Sequence, residues 1–364
     1  MQNEFNSDLE IDNTNDIDES SGTLYAIAMD FMKGYIDVYL SLVNETKGFA
    51  LVEAKDAQDY EQKLIILTGI NSNLDPKNAT AIDVVQEWQR RQAIIFDVEA
   101  SITKGVYIKM REVGQSLINE LRIASNNFQV FEADYIHNNP RMLPIFQRLI
   151  NVRSKSELKK RIGSVSDNAI SKPAAKKLSD ILSSKTTNQN IEDQEILQGL
   201  ETTLEGIVRD LVGRVLLESI VATALDEANV PYKREKEYKY LEGVIYNFRS
   251  DFVVPDENEP KAFIEVRKSS SRHASLYAKD KMFSAINWKG KNKEILAILI
   301  VDGEWTAETL RIMANVFDYV VPIKAVASVA NSIAEYLQGD QSKLKWVIDF
   351  SIKPAQEKVK VEEE

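Results

Sequence analysis

The chain has 364 residues, 44% of them hydrophobic, enough to bury a sizeable core and to form two domains. It has no cysteine, which excludes disulfides and thiolate zinc sites, and its two histidines, His137 and His273, are too few for a multi-histidine metal cage. The formal net charge of -11 is unevenly spread: residues 1–22 carry seven acids and no base, residues 141–185 carry eleven Lys/Arg against three acids, and residues 261–293 carry nine against two.

Two basic segments on an acidic chain predict a localised polyanion-binding surface, with solvated helix faces as the plain alternative. A bound metal is expected to be a hard cation on carboxylate oxygens, such as Mg2+. No apolar run approaches the ~20 residues of a membrane span, and the N-terminus lacks a basic-then-apolar signal, so a soluble cytoplasmic protein is expected.

In chain order, residues 1–22 read as a disordered acidic leader rich in Asn, Asp, Glu and Ser. From Thr23 to Ile150 the pattern is helical: "TLYAIAMDFMKGYIDVYLSLV" sets Leu24, Ile27, Phe31, Ile36 and Tyr39 at helical spacing. "ATAIDVVQEWQRRQAIIFDVEASI" and "GVYIKMREVGQSLINELRIA" are further helices, and "HNNPRM" marks a break. "RSKSELKKRIGSVSDNAISKPAAKKLSDILSS" reads as two short helices about a Gly/Ser/Asp turn, either a plain helical hairpin or a helix-turn-helix-like DNA contact. After a linker at 183–194, a long helix is expected over Leu204–Asn229, with Ile207, Leu211, Val215, Leu216, Ile220 and Ala224 on its apolar side.

Beyond Pro231 the period changes. Strands are expected within 236–254 and 261–267, joined by "DENEP". A helix "SLYAKDKMFSAINW", a strand "EILAILIVD" apolar enough to be buried on both faces, a helix "TAETLRIMANVF" and a strand "YVVPI" follow. The predicted class is mixed α/β: a module with a mixed central sheet flanked by helices over 196–352, preceded by a helical domain over 23–195 that binds DNA or dimerises, with a tail over 353–364.

Alternation along a strand puts Glu265 and Arg267 on one face of "KAFIEVRK", with Phe263 and Lys261, and Ala262, Ile264 and Val266 on the other. If that strand and "YNFRSDFVV" form a hairpin, Asp251 and Glu265 approach within reach of one cation. Two carboxylates beside a basic side chain suit metal-assisted phosphodiester hydrolysis. The competing reading is a salt-bridge cluster on an exposed sheet face.

The text "RSDFVVP…AFIEVRKSSSRHASLYAKDKMFSAIN" followed by "AILIVDG" resembles the PD-(D/E)xK nuclease superfamily, type II restriction endonucleases in particular, over residues 205–322. The resemblance implies that Asp251 and Glu265 are metal ligands and that Glu218, on the preceding helix, is an additional acid of the metal site. It also implies Mg2+, double-stranded DNA and a homodimer as cofactor and partners, within restriction–modification. Ser250 stands where the family customarily has Pro, and Arg267 where it has its catalytic Lys. Arg keeps the charge but hardly ever deprotonates. Lys268 would reach the site only through a strand bulge, and Lys279 or Lys281 could supply the amine from the next helix.

Ser270, Ser271, Arg272 and His273 are candidate DNA contacts, with Ser270 or Ser271 alternatively the N-cap of that helix. Neither a phosphate-binding Gly-rich loop nor a nucleophile turn is present. The expected function is a Mg2+-dependent, sequence-specific DNA endonuclease. A non-catalytic DNA binder on the same fold and a structure-selective repair nuclease are the alternatives.

Overall fold

The computed structural model describes residues 23–45, 80, 82–83, 86, 97–152, 154–166, 168–186, 191–269, 274–340 and 342. The acidic leader, most of the helix expected in 79–102, the four candidates Ser270, Ser271, Arg272 and His273, and the C-terminal tail lie outside the described residues. The chain divides into two compact units, Met1–Tyr35 with Glu99–Arg214, and Ile36–Val98 with Val215–Glu364. The expected boundary at 195/196 is therefore displaced. The helix that follows the anticipated linker starts at Asp193 and runs to Glu227, and the division falls inside it.

The first unit is helical. Helix α1 (Leu24–Glu45) begins in it, and α2 (Val98–Ala124) buries Ile102, Val106, Met110, Leu117, Ile118 and Leu121 at the i, i+4 and i+3 spacing of one helix face. The break at "HNNPRM" separates α3 (Ala133–Asn138) from a 3-10 turn, Pro140–Met142, and α4 (Leu143–Leu149). The two short helices of the basic segment are α5 (Lys155–Ile162) and α6 (Lys172–Thr186). Ser154 caps α5 by accepting from Glu157 N–H at 3.1 Å, and a Val165–Ile170 bridge closes the turn between them. The His137 Nδ1 proton goes to the Ile170 carbonyl at 2.6 Å, so this histidine is spent on tying α3 to the turn. The start of α7 (Asp193–Glu227) completes the unit, with Arg122 Nε donating to Asp193 at 2.8 Å.

The second unit holds a five-stranded mixed sheet in the order β1-β2-β3-β4-β5. Strands β1 (Lys233–Arg234), β2 (Phe252–Val254) and β3 (Ala262–Ser269) are antiparallel neighbours, whereas β4 (Leu296–Gly303) and β5 (Tyr319–Pro322) continue parallel to β3. Only Phe252–Val254 of the 236–254 region is strand. A 3-10 turn at Glu235–Glu237 and an irregular stretch with one Leu241–Phe248 bridge occupy the rest. Asn287 replaces a ladder there, its side chain accepting from Ile245 N–H at 2.8 Å and donating to the Tyr246 carbonyl at 2.9 Å. Parallel pairing of β3 and β4 needs a crossover, which α8 (Ala274–Lys291) supplies. Leu296 to Val301 are all buried, as the continuous apolar run requires. After α9 (Ala307–Met313) and β5, a helix not anticipated from the sequence, α10 (Val326–Leu337), buries Val326, Val329, Ala330, Ile333 and Tyr336.

Among the described residues no helix is long and apolar enough to cross a membrane. One ion pair is sealed in the core of this unit: Lys289 of α8 meets Asp318, both side chains fully buried, and Asp318 also accepts from Ala297 N–H at 2.7 Å. Burial pulls the Lys289 ammonium below its ordinary value, and Asp318 opposes it. Removing one buried partner strands the other, so Lys289→Ala should lose about 3 kcal/mol or more of stability, read from the urea unfolding midpoint. The double variant Lys289→Met/Asp318→Asn removes both charges, keeps an acceptor for Ala297 and should lose less.

Candidate functional site

The site grows from how α8 lies along β3. Phe263 packs edge-on against Trp288 with ring centroids 4.8 Å apart, Glu265 pairs with Lys281, and the Arg267 guanidinium sits 4.1 Å from the Tyr277 ring centroid. Positions 263, 265 and 267 share a strand face, while 277, 281 and 288 share a helix face. Helix and strand therefore run in opposite directions, and the two steps from 263 to 265 to 267 along β3 meet about two turns and then about one turn of α8. Glu265 is 1% exposed, so it does not lie in a salt-bridge cluster on an exposed sheet face.

Asp251 joins from the start of β2. The β2–β3 ladder pairs Phe252 with Ile264, and Asp251 Oδ2 accepts from Val266 N–H at 2.7 Å, just beyond that pair. The residue before it is fixed by a buried polar network. Tyr238 Oη donates to the Ser250 carbonyl at 2.8 Å, and Ser250 Oγ donates to the Phe252 carbonyl at 2.7 Å. Ser250 thus anchors the chain just ahead of Asp251. Burial pushes the Tyr238 phenol up to about 12, so it remains a donor.

Three charged groups share a water-poor space: the Asp251 and Glu265 carboxylates and the Lys281 ammonium. Two like charges face one opposite charge, so the cluster holds a proton more tightly than isolated carboxylates do. Burial, then the neighbouring Asp251, pushes Glu265 up to about 8. Burial alone would lower Lys281, but Glu265 and Asp251 together outweigh it and hold the ammonium above its ordinary value. Glu218 on α7 is pushed up to about 7, by partial burial of its carboxyl and then by Asp251 and Glu235. It retains an exposed surface, so water screens it and Glu265 carries more of the pH response.

Asp251, Glu265, Lys281 and Arg267 are thus brought together, with Glu218 as an electrostatic neighbour. Among the described residues no group of three or more carboxylate or imidazole side chains is arranged to hold a metal ion, so Glu218 does not close a three-ligand cage here. Asp251 and Glu265 remain a pair of hard oxygen donors suited to Mg2+. Lys268 is not at the site. The β3–β4 register runs unbroken through Lys268↔Asp302 and Ser269↔Gly303, so no bulge turns it inward, and it lies 3.9 Å from Asp97 instead. Lys279 is exposed and, two positions from Lys281, lies on another face of α8. Arg267 is half-buried, with its Nε enclosed and lacking a hydrogen-bond partner. Sequence reasoning misses Tyr238 and Tyr277; Tyr277 has a signal, standing four residues before Lys281 on one helix face.

Folding raises the Glu265 carboxyl from an ordinary value of 4.5 to about 8, so between these values the folded protein binds more protons than the unfolded chain. The stabilisation is complete below the unfolded value and is lost as pH rises through the folded one. Thermal unfolding followed from pH 5 to pH 9 should show the Tm falling by about 4 °C or more, and Glu265→Gln should flatten that slope. No protein-family model, curated protein or solved structure matches the chain, so the site is read from its own geometry.

Proposed function

We propose that the chain is a Mg2+-dependent, sequence-specific endonuclease of double-stranded DNA, similar to type II restriction enzymes and built on a PD-(D/E)xK-like core. The observation that carries this is the meeting of Asp251 and Glu265, from adjacent antiparallel strands, with the Lys281 ammonium in a largely buried cluster. The element order is the one the resemblance implies: a long helix, an antiparallel pair, a crossover helix and a buried parallel strand.

Asp251 and Glu265 would hold the metal through hard oxygen atoms. When bound, the ion supplies a polarised phosphoryl oxygen and a more acidic water. Lys281 provides fixed positive charge where a phosphorane gathers negative charge, and its packing against β3 pre-positions it. In this reading the amine missing from position 267 is contributed by α8, while Arg267, stacked on Tyr277, keeps the local potential positive. Without metal, burial keeps the Glu265 proton on up to about 8, so binding of the cation would have to displace that proton and is favoured by rising pH. Two-fold symmetric DNA sites would be matched by a homodimer.

A second reading, a DNA-binding protein without cleavage, is favoured by the same Lys281–Glu265 pair, since an ammonium already neutralises the carboxylate that a cation would need. Incubating long mixed-sequence duplex DNA with the protein and Mg2+ separates the two. Discrete fragments are expected, with Asp251→Asn and Glu265→Gln inactive and Lys281→Met slowed by about 100-fold or more. Intact DNA, both with the natural protein and with Arg267→Lys, would favour the second reading. Cutting confined to branched or single-stranded DNA would point to a structure-selective nuclease.

A further inference from the structure

Helices α5 and α6 carry a concentration of positive charge that the fold leaves unused. Lys159, Lys160, Lys172, Lys176, Lys177 and Lys185 are all exposed, and none forms an ion pair with a described residue. Elsewhere in the same unit, Lys109, Arg111, Arg122, Arg141 and Arg214 each hold an acidic partner. On α5 itself, Arg161 is engaged in that way with Glu157.

The hairpin is held from behind. Leu158 and Ile162 of α5, and Ala174, Ala175, Leu178 and Leu182 of α6, are buried. The outward stripes are therefore fixed by helical phase, and Lys172 and Lys176, four residues apart, stand about 6 Å from one another along the helix.

We infer that the outer face of α5 and α6 binds the phosphate backbone of double-stranded DNA without reading its sequence. This rests on the reading of the protein as acting on DNA, and it adds a grip remote in sequence from the carboxylate site. The chemistry selects among polyanions. Lysine ammonium groups are point charges suited to phosphates, not planar forks that read bases. Neither helix contains an aromatic residue on which unstacked bases could stack, which disfavours single strands. No large exposed apolar side chain of the described residues lies on either helix, so there is no wedge for a lipid surface.

The test is fluorescence anisotropy with a labelled random-sequence duplex of about 30 base pairs, without divalent metal, at salt concentrations from about 50 to 200 mM. The natural protein should show a steep fall of log affinity with log salt. Lys172→Glu/Lys176→Glu/Lys177→Glu should bind at least tenfold more weakly and flatten the slope by about 0.9 for each phosphate that is no longer neutralised. The corresponding triple Arg variant should keep both. These positions are exposed, and an unchanged Tm verifies that the variants are folded. Unchanged affinity and slope in the Glu variant overturn the proposal, as does equal or tighter binding of a single strand of the same length or of vesicles rich in anionic lipid. Because binding is read without metal, the two readings fail separately. If the natural protein cuts DNA and the Glu variant binds normally, the grip falls and the nuclease stands. If nothing cuts but the Glu variant loses binding, the reverse holds.

Discussion

The arrangement of the second unit depends on the packing of α8 along β3. Apolar contact between Phe263 and Trp288 at one end sets the distance between helix and sheet. That distance obliges the next pairs along, Glu265 with Lys281 and Arg267 with Tyr277, to meet with little water between them. A carboxylate taken from water at this depth is unfavourable by several kcal/mol unless compensated. The ammonium compensates in part, and a second carboxylate at Asp251 works against it. The cluster is therefore held in a state that an isolated pair would not adopt, and the surrounding apolar contacts offset the strain. The sealed Lys289–Asp318 pair, adjacent to Trp288 on α8, ties the same end of the helix to β4 and to the residue before β5.

Much of this is legible in the sequence, for a specific reason. Strand alternation is a strict period of two, so placing Glu265 and Arg267 on one face and Lys268 on the other follows from spacing alone. The continuous apolar run of β4 and the helical phase of α8 are equally plain. The identity of the basic partner is not, because Lys279 and Lys281 differ only by the rotation of α8 about its axis. That rotation is set by Trp288 seating on Phe263, a tertiary contact. Residues 236–250 mislead for a related cause. Their apolar and aromatic residues resemble strand, yet side-chain bonds from Asn287 and Tyr238 satisfy backbone groups that a ladder would otherwise pair.

Domain division is hidden for another physical reason. A polar stretch at 183–194 looks like a linker, and the sequence there is compatible with one. The helix that begins at Asp193 continues through Gly199, Gly206 and Gly213, and no residue in it signals where one compact unit gives way to the next. Charge is a better guide than polarity. The exposed lysines of α5 and α6 survive folding as an outward face, because Leu158, Ile162, Leu178 and Leu182 claim the inward one.

The contact between Asp251 and Val266 has a consequence for how such a protein can change over time. The last rung between the two strands is made by a side chain, so position 251 answers to the backbone as well as to chemistry. An alanine there would leave a strand amide without its acceptor, whereas asparagine would still accept that proton while surrendering the charge. Position 251 can therefore pass from acid to amide with the sheet intact, but tolerates little beyond that.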